Sequence, residues 1–197
     1  LLGLAFLIYS QQLVIPIGLT LMAAGFVIAL LGFLDDHGHI NSMLRLAIHF
    51  LVAIGVVISL GGFSEIIIFN GLQLGFIANI IAVLFLVWLL NLYNFMDGIN
   101  GITGGYSWVV LLALAFINVQ IVRFVEEDLI YTMLCAVLVF NFFNFRKKAK
   151  CFAGDVGSVS IAFVILFLIG KLIIRTENFS WIVLLVVYGV DSVLTII

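Results

Sequence analysis

Charge is what this 197-residue chain has least of: 9% of its residues are charged and 65% are hydrophobic. A soluble domain carries about 25% charged residues, so that class is excluded. Proline occurs once, as Pro16, at the start of a long apolar run, where a helix tolerates it. The two cysteines, Cys135 and Cys151, make neither a disulfide framework nor a zinc site. Histidine occurs three times. His37 and His39 sit beside acids in oxygen-rich surroundings, which suits solvation better than metal binding. His49 lies inside an apolar run and is expected to bond a neighbour. The chain starts on Leu1 and stops at Ile197 within an apolar run, which reads as a piece of a longer protein. Nothing at its start has the form of a cleavable signal. With so few cations, no nucleic-acid partner is expected.

What the chain does have is apolar length, with a mean hydropathy of +1.39. Runs at 13–34, 43–60, 76–92, 105–121, 129–143, 157–174 and 180–197 each approach the ~20 residues that cross a bilayer. Residues 1–9 look like the tail of a further helix. Helices are the solution that satisfies every backbone polar group within lipid in runs like these. The expected fold is all-α, a polytopic transmembrane bundle of seven spans plus a stub, forming one domain over 1–197. A small β-hairpin is expected over 64–75, turning at Asn70-Gly71, on the non-cytoplasmic face. No internal repeat is visible.

Counting crossings from Asp35 puts three separated polar motifs at one end of the bundle. They are the acidic pair Asp35-Asp36, the segment 91–101, and the stretch 144–158. That end carries Arg45, Arg146, Lys147, Lys148 and Lys150; the other carries Arg123, Lys171 and Arg175. The bias makes the motif end cytoplasmic. The cluster at 146–150 reads as an orientation signal or an anionic-lipid contact. The acids gathered there are Asp35, Asp36, Asp97 and Asp155, with Asp191 approaching. One or two from each segment suits Mg²⁺, which uses few carboxylates plus substrate phosphates, and suits a closed zinc cage poorly. Asp155 stands among glycines at the mouth of a span, where a lone acid is functional by default, and free amides at a helix start bind phosphate. Asn94 and Asp97 are neighbours if the helix persists through them. Asp35 and Asp36 would point about 100° apart and so do different jobs. Together these residues read as a metal-assisted phosphoryl-transfer site at the membrane surface, with a lipid co-substrate.

The segments GFLDD (32–36), NLYNFMDGING (91–101) and FAGDVGS (152–158) resemble the polyprenyl-phosphate N-acetylhexosamine-1-phosphate transferase family, with all three motifs in family order. The resemblance covers most of the chain. It implies a multi-pass enzyme of the bacterial inner membrane. Such an enzyme moves a sugar-1-phosphate from a UDP-N-acetylhexosamine to undecaprenyl phosphate and releases UMP. The wording lies closer to the branch that starts O-antigen, lipopolysaccharide or other surface polysaccharides. By the same resemblance Asp155 is the ligand of Mg²⁺, with Mn²⁺ as the alternative. Asp35 and Asp36 are the catalytic pair, one taking a proton from the lipid phosphate. Asn94 and Asp97 line the nucleotide-sugar pocket, and Phe152 stacks on uracil. The implied reaction is in-line attack, with a two-step route through an aspartyl intermediate as the alternative. Membrane lipids are partners, and a homodimer is a possible assembly. Asn100 stands where many relatives have a second Asp and is assigned no role. The rival class is a transporter using Asp97 or Asp191 as an ion site, against which stands the lack of paired, repeated halves. A CDP-alcohol phosphotransferase would need an Ala-Arg pair that is missing after Asp97-Gly98.

Overall fold

The computed structural model describes residues 15–38, 40–68 and 72–196. The expected stub at 1–9, His39 and the Asn70-Gly71 turn lie outside the described residues. Among the described residues, six helices are long and apolar enough to cross a membrane. They are α1 (Ile15–Gly38), α2 (Ser42–Ser59), α3 (Phe76–Met96), α4 (Ile102–Gln120), α5 (Glu127–Asn144) and α6 (Gly154–Thr176). The protein is a multi-pass helical membrane bundle.

Helix α6 is its axis. Within α6's span 72% of residues are buried in protein, against 22–44% for the other five. A helix apolar on every side packs on every side: α6 lies against α1, α3 and α4, while α5 pairs with α4 and α2 bridges α1 and α3. Its buried face includes Ala162, Ile165, Leu168 and Leu172. The outer helices show large apolar side chains such as Leu51, Ile58 and Phe116 to the surroundings, as lipid-facing surfaces do.

The expected seventh span, 180–197, is not one α-helix. A 3-10 segment, Phe179–Leu185, precedes helix α7, Val186–Ile196. Seven residues are long for that tighter geometry. Outside partners hold it: Asn178 accepts from the Ser180 amide at 2.9 Å, and the Tyr106 hydroxyl donates to the Leu184 carbonyl at 2.5 Å. At 64–75, two-residue strands β1 (Ile67–Ile68) and β2 (Leu72–Gln73) pair antiparallel, Ile67 opposite Gln73 and Ile68 opposite Leu72. This short ladder does not amount to the hairpin expected there, and the architecture is helical.

Helix ends also differ from expectation. Helix α1 runs on through the acidic pair to Gly38, and α3 runs to Met96, so Asn91 and Asn94 are helical. Asp97 caps α3 with φ −76° and ψ 42°, outside the helix.

Candidate active site

The three motif segments meet around the first turn of α6. Gly32 of α1 makes the approach possible. A Cβ there would lie 2.6 Å from the Val156 nitrogen and 2.8 Å from the Asp155 carbonyl carbon. One turn further along α1, Asp36 Oδ1 accepts the Asp155 amide at 3.2 Å. Gly154 sits at φ +56°, and a Cβ on it would lie 2.8 Å from Asp36 Oδ2. Only glycine meets both demands. An amide at the helix start thus meets a carboxylate, the arrangement that favours negative charge there.

Asp35 points another way, as adjacent helical positions require. Its Oδ1 accepts the Ile40 amide at 3.0 Å, and its Oδ2 lies 2.9 Å from the Arg45 guanidinium. The same Arg45 nitrogen lies 3.5 Å from Asp155 Oδ2. The Asp35 and Asp155 carboxyl groups are themselves within hydrogen-bonding reach. Asn94, reaching across from α3, stands beside Asp155 and favours its ionised form, and its Oδ1 is 3.2 Å from the Ser158 hydroxyl. The Gly154 backbone and the Thr103 hydroxyl lie on the Asp97 side chain as donors that favour its charged form. Burial pushes the Asp97 carboxyl above the usual carboxylate range, and those two donors pull partly against it.

Five of the six residues singled out from the sequence therefore meet: Asp35, Asp36, Asn94, Asp97 and Asp155. The sixth, Phe152, is 75% exposed just before α6 and makes no ring contact among the described residues. His37 turns back onto its own helix, with Nδ1 2.9 Å from the Phe33 carbonyl. His49 is buried and pairs with Asn91, ring nitrogen to amide nitrogen, at 3.3 Å. Asp191 is exposed on α7; Tyr188, one turn earlier, feels the charges of both Asp97 and Asp191.

A family model described as glycosyl transferase family 4 matches residues 18–173, the stretch that holds the whole cluster. The chain belongs to glycosyl transferase family 4. Its relatives include a probable undecaprenyl-phosphate N-acetylglucosaminyl 1-phosphate transferase of Bacillus subtilis (strain 168), 30% identical over 170 residues, covering 84% of this chain and 47% of the relative. A phospho-N-acetylmuramoyl-pentapeptide-transferase of Streptococcus gordonii is 31% identical over 154 residues, covering 72% of this chain and 47% of the relative. An undecaprenyl-phosphate alpha-N-acetylglucosaminyl 1-phosphate transferase of Yersinia pestis is 28% identical over 173 residues, covering 84% and 47%. The chain spans about half the length of these curated relatives.

Several residues at the site of this glycosyl transferase family 4 member escaped the sequence reading. Arg45, counted there only for orientation, stands between two of the aspartates. A cation within a span was the signal that could have found it. Thr103 links Asp97 to the last helix, its hydroxyl 3.0 Å from that of Tyr188. Asn144 is 5% exposed and joins two motif segments: it accepts the Gly101 amide at 2.7 Å and donates to the Cys151 carbonyl at 2.8 Å.

Proposed function

We propose that this protein transfers an N-acetylhexosamine-1-phosphate from a UDP-sugar to undecaprenyl phosphate and releases UMP. We place this as the first membrane step of O-antigen or other surface-polysaccharide synthesis. The observation that carries the reading is the convergence of Asp35, Asp36, Asp97 and Asp155 on the glycine-lined start of α6. A carboxylate cluster at a glycine-lined helix start can handle a diphosphate held by a metal.

Mg²⁺, with Mn²⁺ as the alternative, fits this donor set. Among the described residues no group of three or more His, Cys, Asp or Glu is arranged to hold a metal by itself. Arg45 gives the close Asp35–Asp155 pair one positive charge, and Asp36 and Asp97 leave the cluster with more carboxylates than cations. An ion that shares its shell with substrate phosphates meets both facts. Asp155 would hold it, with Asp35 alongside. When bound, it neutralises charge on the donor's diphosphate.

The chain's own residues supply the rest. Asn94 and Ser158 fix the Asp155 side chain. Arg45 holds Asp35 and tempers the negative field into which two phosphate groups must come. Asp36 is exposed and has no salt bridge among the described residues, which supports it as the member of the pair that takes the acceptor's proton. Asp97, Asn94 and Phe152 border the space for the nucleotide sugar. An oxygen of the lipid phosphate then attacks the β-phosphorus; the bond from that phosphorus to the bridging oxygen breaks, and UMP leaves with the electron pair. Positioning and charge neutralisation dominate such transfers.

A lipid acceptor is supported by an apolar groove of about 470 Å³ along α3 and α7, bordered by Phe85, Trp88, Leu89, Val186, Gly189 and Val190. The five-to-three bias of basic residues supports a cytoplasmic site in a bacterial inner membrane. The transporter reading gains nothing from membership in a transferase family.

The test follows UMP release in membranes from a panel of UDP-N-acetyl sugars, with and without undecaprenyl phosphate and Mg²⁺. The expected result is release that needs both and falls ~10²- to 10³-fold in Asp155→Asn, the scale on which charge stabilisation acts. A folded protein that releases UMP with none of the sugars refutes the reading. The best sugar identifies the donor.

A further inference from the structure

The segment joining α5 to α6 carries Lys147, Lys148 and Lys150, all exposed. None has a hydrogen bond or ion pair from its ammonium group among the described residues. No acid occurs between residues 129 and 154, so nothing on the segment opposes them. Spans at both ends hold the segment at the bilayer surface. It is also closed rather than extended. The Lys150 amide donates to the Phe143 carbonyl at 2.9 Å and the Arg146 amide to the Asn144 carbonyl at 2.7 Å, which puts 147–148 at the tip. Arg146 is already engaged, with Nε donating to the Phe142 carbonyl at 2.8 Å and its guanidinium 4.7 Å from that ring's centroid. Beside the lysines, Phe145 and Phe152 are 70% and 75% exposed.

We propose that Lys147, Lys148 and Lys150, with Phe145, form a docking surface for the head groups of anionic phospholipids in the leaflet onto which the acidic cluster opens. Two features select a lipid surface over a free phosphate ion. The three lysines are exposed along a tip rather than buried around one site. The exposed Phe145 ring gains by entering a bilayer interface and gains nothing from a soluble ion. The surface ends five positions before Asp155, so it gathers negatively charged lipids beside the acidic cluster and offsets that cluster's field. The proposal rests on the membrane placement of the segment and not on the transfer reaction.

Each lysine near an anionic surface is worth about fivefold in preference, so three give up to ~100-fold at low salt. The protein is reconstituted in phosphatidylcholine nanodiscs containing a minor share of phosphatidylglycerol. Lipids retained on release are counted by native mass spectrometry. Wild type is expected to retain phosphatidylglycerol far above its bulk share, and less so as sodium chloride is raised. K147Q/K148Q/K150Q is expected to fall to the bulk share. The matching triple Lys→Arg variant, and K171Q/R175Q at the other end of the bundle, keep the wild-type enrichment. Undiminished enrichment in the Gln variant overturns the proposal. So does enrichment in wild type that ignores salt, which keeps the test decisive if the Gln variant does not fold. Displacement of the lipid by inorganic phosphate, at an ionic strength where chloride has no effect, also overturns it in favour of a phosphate site.

Discussion

Gly32→Ala tests the closest approach in the site. The added methyl would meet the Val156 nitrogen at 2.6 Å and two further backbone atoms at 2.8 Å, and backbone cannot swing aside as a side chain tip can. Ordinary contact begins near 3.4 Å, so α1 and the start of α6 must separate by roughly 0.8 Å. That movement would carry the Asp36–Asp155 amide bond from 3.2 Å past hydrogen-bonding range, and it would open the 3.5 Å approach of Arg45 to Asp155. Overpacking of this kind costs about 1–3 kcal/mol, and a displacement near 1 Å at a reacting centre costs about 10²-fold in rate. The expected outcome is a lowered melting temperature in detergent, with UMP release down roughly a hundredfold in the fraction that stays folded. Gly55→Ala is the control, because a Cβ at Gly55 meets nothing within 4 Å. It should match wild type in activity. A Gly32→Ala protein with wild-type melting and turnover within about twofold would refute the claim that this contact sets the site's geometry.

Asp97→Asn removes a carboxylate whose ionised form burial disfavours. The raised native pKa means that folding favours the protonated acid, so this residue's contribution is intact below the unfolded value of 3.8 and lost as pH rises through the higher native value. The variant should therefore melt above wild type at neutral pH and converge with it below pH 3.8; a constant offset would contradict this. Asn144→Ala leaves the Gly101 amide and the Cys151 carbonyl without their partner. A loss of about 2–4 kcal/mol is expected, with faster proteolysis at 145–152, and an unchanged melting curve would show that the bridge is dispensable.

How much of this was legible depends on what each feature needs. Parity counting put the three motifs at one end because every crossing reverses the chain's end whatever its tilt, and Asp36, Asp155 and Asp97 do meet there. Parity carries no information about rotation around a helix axis. Arg45 was therefore visible as a charge at the right level and not as the group between Asp35 and Asp155. The break in the last run was hidden for a related reason. Hydropathy sees an unbroken apolar stretch over 180–197, whereas the 3-10 segment is held through the Leu184 carbonyl by Tyr106, a residue 78 positions away.

The two glycines that shape the site divide along the same line. Gly154 lies inside Gly-Asp-Val-Gly-Ser at a helix start, where local sequence alone marks a place that needs left-handed backbone, and its φ of +56° agrees. Gly32 stands in the middle of an ordinary apolar helix, in which glycine only weakens helix formation. Its reason to exist is the backbone of residues 155 and 156, more than a hundred positions on. An acid can be noticed in a sequence because lipid makes it costly wherever it stands. A missing side chain becomes meaningful only against the atom it makes room for. The separation of α1 from α6, set at Gly32, is for that reason the quantity most open to correction by the Gly32→Ala measurement.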